Sequence, residues 1–461
     1  MCKKTDRLLS KNGNSTMKSI LFIVSLIYLI STPISAVATT VRDVQNWLQQ
    51  LGYNPGPVDG AYGKQTVDAL KRFYLNQGKE FDGKLDDNEI SDLINLFSTS
   101  KSEGLVGCTG PAICSKLKFR KTINPFLAWK YDFWKRPMTS YSLYWNGGEM
   151  PSRVKSALNL QEIRYAFWYT WDNVWGKRVY SDIKKYVLSK DFGHYDEYGE
   201  TFSIDITHPD YPRAIADIAS REVRKKNLDG IMLDWWVDWL PSGFTKQEVR
   251  GARIRIAQAL RQKLGNDKII LANVMWEQDK DTVEYLNGVF LEFTKDGSEG
   301  RLYNSSELKK IESSIKYYNK YLADPKIIAI NGHRKTKNIT DKDRNSSENR
   351  RMAKLLTAMS VVIPRNGYIL YGDGARDDPD TDLDHILYDF YGFDIGQPLE
   401  PGLEIKKGVG LREHQSGFVG YNINASAVKI MRANGQKVEI EAKAGLFCRE
   451  SSTEIKCLPY D

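Results

Sequence analysis

The chain has 461 residues, of which 41% are hydrophobic, which is enough for two or three domains with apolar cores. Its formal net charge is +8, but residues 1–38 carry five basic side chains and one acidic one, so the rest is only weakly basic. The sequence has no clustered basic stripe of the kind that nucleic-acid binding needs, and the charged stretch at 332–351 mixes both signs. These features argue against a nucleic-acid-binding protein.

Residues 1–38 have the features of a secretory signal peptide in the usual order. Basic residues precede an apolar run at 20–30, and an A-x-A sequence ends at Ala38. The run is shorter than the roughly 20 residues that a membrane span needs. We therefore expect a secreted or periplasmic protein with no transmembrane segment after cleavage. An uncleaved N-terminal anchor is the alternative, and a start at Met17 would give a more usual signal peptide.

Four cysteines follow this segment, in two pairs that are local in sequence. Cys108 precedes Cys114 by six residues, and Cys448 precedes Cys457 by nine. In an oxidising compartment such pairs predict two small-loop disulfides. Neither pair lies beside a histidine-rich stretch, so we expect no zinc site, and we predict no metal or cofactor elsewhere.

Residues 41–97 predict a small domain of three helices, because apolar residues recur there with helical spacing. Asp86 and Glu89 have the spacing of a capping box at the start of the third helix. The loop between the first two helices, at 51–66, is rich in glycine and proline. Residues 98–121 read as a linker.

The loop sequence LGYNPGPVDGAYGKQT, with the helix that follows it, resembles the peptidoglycan-binding type 1 domain. The resemblance implies attachment to peptidoglycan or another wall glycan near Asp59, Gly60 and Gly63. Those three residues can instead serve only to shape the turn, which is the interpretation we favour.

From 122 to 397 short apolar runs alternate with amphipathic helices, which is typical of βα units and a parallel sheet. We predict strands at 125–131, 141–146, 163–169, 230–236, 268–276, 288–294, 326–332 and 367–374, with helices that include 211–227 and 247–265. The pattern predicts an α/β fold, a (β/α)8 TIM barrel. A doubly wound open sheet is the alternative, but no glycine-rich dinucleotide fingerprint follows the first strand. Residues 398–461 predict a small β module.

Two acidic residues end predicted barrel strands, Asp234 and Glu292. Catalytic side chains of such barrels project from the carboxyl ends of the strands, and glycoside cleavage uses two carboxyl groups. Tryptophan offers a flat apolar face to a sugar ring, and Trp236 follows Asp234 on the same alternating face. A single strand-end aspartate often serves only as a cap or loop partner, but two in this arrangement favour catalysis.

Further candidate substrate ligands are Trp168, Asn273, Tyr371 and Asp373, which lie at or near the ends of predicted strands. Packing or hydrogen bonding within loops is the alternative role for each of them.

The segment at 202–236 is similar to the glycoside-hydrolase barrels of family 114, which includes endo-α-1,4-polygalactosaminidases, and of hypothetical glycosyl hydrolase family 15. The positions that match their pattern are Asp205, Pro209, Asp229, Gly230 and Asp234, and Glu292 stands where these families have their second acid. The tail at 408–430 resembles the β module that closes such enzymes. The chain departs from the pattern where WWVDW follows Asp234, which leaves specificity for a galactosaminoglycan open.

The resemblance implies a glycoside hydrolase that acts on a polysaccharide, either peptidoglycan or an amino-sugar exopolysaccharide. Asp234 would be the nucleophile or base and Glu292 the proton donor, in a protein we expect to be a monomer. A non-catalytic glycan-binding barrel is the alternative of a different class, and a lytic transglycosylase with Glu292 as sole acid is a minor one. A zinc peptidase is disfavoured because the histidines are scattered, and an L,D-transpeptidase because the cysteines are predicted to pair with each other.

Overall fold

The computed structural model describes residues 41–461 except 51–54, 77–79, 87, 92, 94–110, 119–120, 129–139, 147–153, 170–180, 189–193, 197–198, 239–242, 296–301, 335–340, 373–386, 400 and 433. Its α-helices are α1 (Val41–Gln50), α2 (Lys64–Asn76), α3 (Pro111–Lys118), α4 (Tyr211–Lys225), α5 (Lys246–Leu264), α6 (Ser305–Tyr321), α7 (Asp341–Arg344) and α8 (Ser347–Val362). The predicted signal peptide at 1–38 lies outside the described residues, as does most of the predicted linker.

The β-strands belong to one parallel sheet and three antiparallel ones. Those of the first half are β1 (Phe126–Ala128), β2 (Leu143–Asn146), β3 (Leu158–Ile163), β4 (Phe167–Tyr169), β5 (His194–Asp196), β6 (Gly199–Ser203), β7 (Gly230–Leu233) and β8 (Ile269–Asn273). Those that follow are β9 (Gly288–Lys295), β10 (Ile327–Arg334), β11 (Asn366–Gly372), β12 (Leu403–Lys406), β13 (Val409–His414), β14 (Gly417–Asn422), β15 (Val428–Met431), β16 (Lys437–Ile440), β17 (Ala444–Glu450) and β18 (Ile455–Cys457).

The predicted (β/α)8 barrel is confirmed. Eight parallel strands pair in the order β1-β2-β3-β7-β8-β9-β10-β11. A parallel bridge between Pro125 and Ile369 joins the two ends of this sheet and closes the ring. Because all eight strands run the same way, their carboxyl ends meet at one mouth.

The third barrel strand is not the predicted one. It is β3, whereas the predicted stretch at 163–169 leaves the barrel and contributes β4 to a three-stranded antiparallel sheet with β5 and β6. β3 carries buried polar side chains, and partners elsewhere in the chain satisfy them. Asn159 donates to Asp229 at 3.1 Å, and Gln161 accepts from Lys226 at 2.6 Å.

The barrel interior is filled by alternate side chains of the strands. Residues that point inward form one apolar cluster, which includes Phe126, Trp145, Leu160, Met232, Leu271, Phe290, Ala329 and Leu370. Phe126 stacks on Trp145, and Trp145 meets Phe290 edge-on, both at 5.1 Å between ring centroids. The intervening residues point outward and pack against the helices. Side chains that follow this packed cluster on the inward face are therefore displayed at the mouth.

The opposite end of the barrel explains the Asp229-Gly230 sequence. Asp229 is buried and accepts hydrogen bonds from the Lys116 ammonium at 2.6 Å and the Asn159 backbone N–H at 2.8 Å. A side chain at Gly230 would lie 2.0 Å from the Ile269 carbonyl oxygen, so only glycine allows this approach of β7 to β8. These two residues are structural.

Local signals at the barrel helices agree with the structure. The two predicted helices correspond to α4 and α5. Thr245 and Glu248 form a capping box at the start of α5, which satisfies backbone N–H groups that the helix itself leaves open. None of the helices in the described part of the chain is long and apolar enough to span a bilayer.

The small helical module before the barrel and the β module after it are both present, as predicted. In the first, the predicted capping box is present, because the Asp86 N–H donates to the Glu89 carboxylate at 3.0 Å and the Glu89 N–H donates back at 3.3 Å. After the barrel, β12, β13, β14, β17 and β18 form a five-stranded antiparallel sheet beside the β15–β16 hairpin. Arg412 ties this sheet to the end of α8 by donating to the carbonyl oxygens of Val361 and Pro364 at 2.8 and 2.9 Å.

Candidate active site

Asp234, Asn273 and Glu292 come together at the mouth of the barrel. They are inward residues: Asp234 directly follows β7, Asn273 ends β8, and Glu292 lies in the second half of β9. The Asn273 Nδ2 atom donates to Asp234 Oδ1 and to Glu292 Oε2, each at 3.0 Å. Asp234 Oδ1 and Glu292 Oε2 therefore lie at most twice that distance apart.

The orientation of the Asn273 amide is set by its other end. The Met275 backbone N–H donates to Asn273 Oδ1 at 3.2 Å, so this oxygen is the acceptor and the NH₂ group must face the two acids. An amide NH₂ has two protons to donate, and here each goes to a different carboxylate. Asn273 is thus a bridge that holds the pair together.

A third carboxylate, Glu162, was missed from the sequence. It is the inward residue near the end of β3, it is buried, and its Oε1 atom accepts from Arg164 Nε at 2.8 Å. Leu158, Leu160 and Glu162 alternate on one face, and this was the signal that could have found it. β3 pairs with β7, which places Glu162 on the strand adjacent to Asp234.

These neighbours perturb Asp234. Burial in the mouth is the main cause that raises the pKa of Asp234 to about 7, and repulsion from Glu162 and Glu292 adds to it. The hydrogen bond from Asn273 and the charge of Arg164 act in the opposite direction. A carboxyl group whose pKa lies near the working pH, in a cleft with acidic neighbours, is typical of catalytic sites.

Trp236 is not the exposed sugar platform that was predicted. It is 1% exposed, and its indole N–H donates to Asp279 at 2.9 Å and to Thr282 at 2.8 Å. Arg253 lies over its ring and pairs with Asp279 at 2.9 Å. Trp236 is therefore a buried anchor that ties the loop after β7 to the loop after β8.

Trp235 is the exposed indole instead, with 43% of its surface accessible. Its backbone is left-handed, with φ of 54°, a conformation that costs a bulky residue about 1 kcal/mol or more. This turn breaks the alternation expected from β7, so that Trp235 is exposed to solvent and Trp236 is buried with the residues that pack against the helices. The Trp235 N–H donates to Asp234 Oδ1 at 2.9 Å, which gives the catalytic candidate a second donor on the same oxygen.

The remaining predicted ligands do not join this cluster. Tyr371 is fully buried on the outer face of β11, where its hydroxyl donates to Asn349 on α8, so the prediction that it binds substrate was wrong. Trp168 lies on β4, outside the barrel sheet, and its side chain is outside the described part of the structure. Asp373 lies outside the described residues.

In the small helical module, the loop that holds Asp59, Gly60 and Gly63 is organised by Gln45. This residue is 1% exposed and donates to Asp59 Oδ1 at 3.1 Å, while its oxygen accepts from the Gly60 N–H at 2.8 Å. Gly60 has φ of 83°, which favours glycine. The Gly63 carbonyl accepts from Val67 at 3.1 Å at the start of α2. All three contacts shape the turn.

The predicted disulfide between Cys448 and Cys457 is confirmed. Cys114 is also disulfide-bonded, and Cys108, its predicted partner, lies outside the described residues. Within the part of the chain that the structure describes, no group of three or more His, Cys, Asp or Glu side chains is placed to hold a metal ion.

The small helical module matches a known protein family. Residues 38–91 match the family model described as "Putative peptidoglycan binding domain", which confirms the predicted resemblance. No curated protein matches the chain. Membership of the hydrolase families named above stays a prediction.

Several solved structures that resemble the chain are glycoside hydrolases. The glycoside hydrolase domain of PelA from Pseudomonas aeruginosa is 12% identical, with a TM-score of 0.37 over 57% of this chain and 99% of that one. An alpha-amylase from Geobacillus thermoleovorans is 12% identical, with a TM-score of 0.38 over 66% and 87% of the two chains. An endo-beta-N-acetylglucosaminidase from Cordyceps militaris is 14% identical, with a TM-score of 0.34 over 61% and 93%. Similarity at this level says nothing about activity or substrate.

Proposed function

We propose that this chain is an exported glycoside hydrolase that cleaves a cell-wall or exopolysaccharide glycan, held near its substrate by the peptidoglycan-binding module. The observation that carries the proposal is the pair of carboxylates, Asp234 and Glu292, joined by the Asn273 amide at 3.0 Å on each side. Glycoside cleavage requires such a pair at the two sides of the scissile bond.

Asp234 acts as the nucleophile in this proposal and Glu292 as the proton donor. Two N–H donors, from Trp235 and Asn273, hold one Asp234 oxygen and oppose the burial that raises its pKa to about 7, so the ionised form that a nucleophile requires prevails above that pH. The two carboxylate oxygens that Asn273 joins at 3.0 Å each lie at most twice that distance apart, which is below the roughly 6.5–9.5 Å of inverting enzymes. We therefore propose cleavage with retention of the anomeric configuration.

The charged residues at the barrel mouth limit which class of sugar can bind there. Two acidic neighbours, Glu162 and Glu292, act on Asp234 and one basic neighbour, Arg164, opposes them. A neutral or amine-bearing sugar suits this environment better than a uronic acid, because a second negative charge would be repelled. Peptidoglycan and amino-sugar exopolysaccharides both meet this condition.

The test is a degradation screen with residues 39–461 and its Asp234→Asn and Glu292→Gln variants. The substrates are peptidoglycan sacculi, amino-sugar exopolysaccharides and, as a control for charge, a uronic acid polymer. Reducing ends and product masses report cleavage, and NMR of the first product reports its anomeric form. Cleavage by the wild type and by neither variant supports the proposal.

The second candidate is a barrel that binds glycan without cleaving it. The buried anchoring of Trp236 beside an exposed Trp235 would serve a binding site as well as an enzyme. Sacculus pull-down separates the two functions, because a binding protein would retain sacculi and release no reducing ends from any polymer.

A further inference from the structure

Trp235 is exposed directly beside Asp234, at the rim of the barrel mouth. It is 43% exposed, whereas its neighbour Trp236 is 1% exposed. Tyr62, Tyr321 and Met431 are the other large apolar side chains with comparable exposure among the described residues, and none of these follows a strand end of the barrel mouth. An indole left this exposed forgoes part of the stabilisation that full burial of its apolar surface would give.

The backbone at Trp235 is held in its left-handed conformation by several contacts. Its N–H donates to Asp234, and its carbonyl oxygen accepts from the Tyr165 hydroxyl at 2.9 Å and from the Val237 N–H at 2.8 Å. The next residue is fixed too, because the Trp236 N–H donates to the Asn273 carbonyl at 2.8 Å. A strained backbone conformation that many surrounding contacts hold in place is often found at a functional site.

The ring of Trp235 is supported as well as exposed. Phe167 on β4 meets it edge-on, with 5.7 Å between ring centroids and 71° between the ring planes. Phe167 is itself packed against the main core. A rigid, supported indole loses little side-chain freedom when a ligand stacks on it, so more of the contact energy is available for binding.

We propose that Trp235 is the stacking platform for the sugar residue next to the cleavage point, and that its left-handed backbone is kept to display the ring there. The inference rests on the proposed function. The occupant is a glycan chain with the C–H face of one sugar against the indole, because the platform is continuous with the carboxylate pair through Asp234.

A substitution at Trp235 is expected to affect the stability of the protein and its affinity for glycan differently. Glycine adopts a left-handed backbone without penalty, so Trp235→Gly relieves strain while it removes the ring. We expect its Tm to be no lower than that of the parent protein and its glycan affinity to fall about fivefold or more, the effect of losing one aromatic contact of ordinary strength. Trp235→Phe keeps an aromatic face and should retain most of the affinity.

The experiment is calorimetric titration of the Asp234→Asn protein, residues 39–461, with and without each Trp235 change. Asparagine keeps an oxygen for the Trp235 N–H while it removes the carboxylate charge. The probes are glycan strands freed from peptidoglycan and oligosaccharides of galactosamine. Tyr321→Ala is the matched control, because Tyr321 is 48% exposed but ends α6, at the other end of the barrel from the mouth.

Weaker binding in Trp235→Gly, with binding kept in Trp235→Phe and Tyr321→Ala, supports the platform. Equal affinity in Trp235→Gly overturns it, and the proposed function then still stands if the wild type cleaves the probe. If the Asp234→Asn protein binds neither probe and the wild type cleaves neither, the platform and the proposed function are both overturned.

Discussion

Asp234→Asn is expected to stabilise the protein at neutral and alkaline pH while it removes activity. The pKa of Asp234 is raised from 3.8 to about 7 in the folded chain, chiefly by burial. Between these two values the folded state binds more protons than the unfolded state, so the free energy of unfolding falls as the pH rises. Below 3.8 the residue is protonated in both states and the penalty is absent. Above about 7 the penalty is fully present.

A pKa of about 7 in place of 3.8 corresponds to a penalty of at most about 4 kcal/mol. Asp234 is partly exposed at the mouth, so solvent screening lowers this, and we expect about 1–3 kcal/mol. In a protein of this size that is a Tm increase of a few degrees for Asp234→Asn at pH 8, which shrinks towards zero near pH 4.

Calorimetric melting of both proteins across this pH range measures the effect. Asp281→Asn is a control of opposite sign, because the Arg250 guanidinium, at 2.6 Å, holds the pKa of Asp281 below its usual range. Asp281→Asn should therefore destabilise the protein at neutral pH and lose its effect in acid. A Tm difference for Asp234→Asn that is independent of pH, or that grows in acid, would show that the pKa of Asp234 is not raised in the folded protein.

Three further predictions concern activity and the supports of the site. If Asp234 is the nucleophile, kcat/KM rises with pH through about 7, and a rate that instead falls through that range would make Asp234 the proton donor. Arg253→Met leaves the buried Asp279 without its ion pair, so we expect a loss of roughly 3 kcal/mol in denaturant unfolding together with lower kcat; unchanged stability would contradict the anchor role. Gln45→Ala removes the hydrogen bonds that shape the loop at Asp59, and we expect weaker sacculus retention with unchanged cleavage of soluble oligosaccharides.

The barrel could be predicted because its signals are local. Apolar strands alternate with amphipathic helices, and the alternation within a strand tells which side chains point inward. For β7, β8 and β9 that rule placed Asp234, Asn273 and Glu292 at one mouth, where the structure has them. The rule works there because each of these strands is long enough, or apolar enough, to show which of its residues point into the barrel.

The failures arose where distant partners or turn geometry decide the outcome. β3 was missed because Asn159 and Gln161 look like loop residues until Asp229 and Lys226, far along the chain, satisfy them. Because β3 was not predicted, Glu162 was not recognised as a residue of the mouth.

The error at the two tryptophans has a different cause. Alternation was continued past Leu233, where β7 ends, but the left-handed turn at Trp235 breaks it, so that Trp235 is exposed and Trp236 is buried. Tyr371 was placed at the mouth by its position at a strand end, although its register on β11 turns it outward.

The roles of Asp234 and Glu292 are tested by comparing reducing-end release by the wild type, Asp234→Asn and Glu292→Gln from a polymer that all three bind equally in pull-down. We expect each variant to lose at least about 10²-fold in rate, because each removes one member of the proposed catalytic pair, while glycan binding is retained. Release by either variant at the wild-type rate would contradict the assignment of these two carboxylates as the catalytic pair.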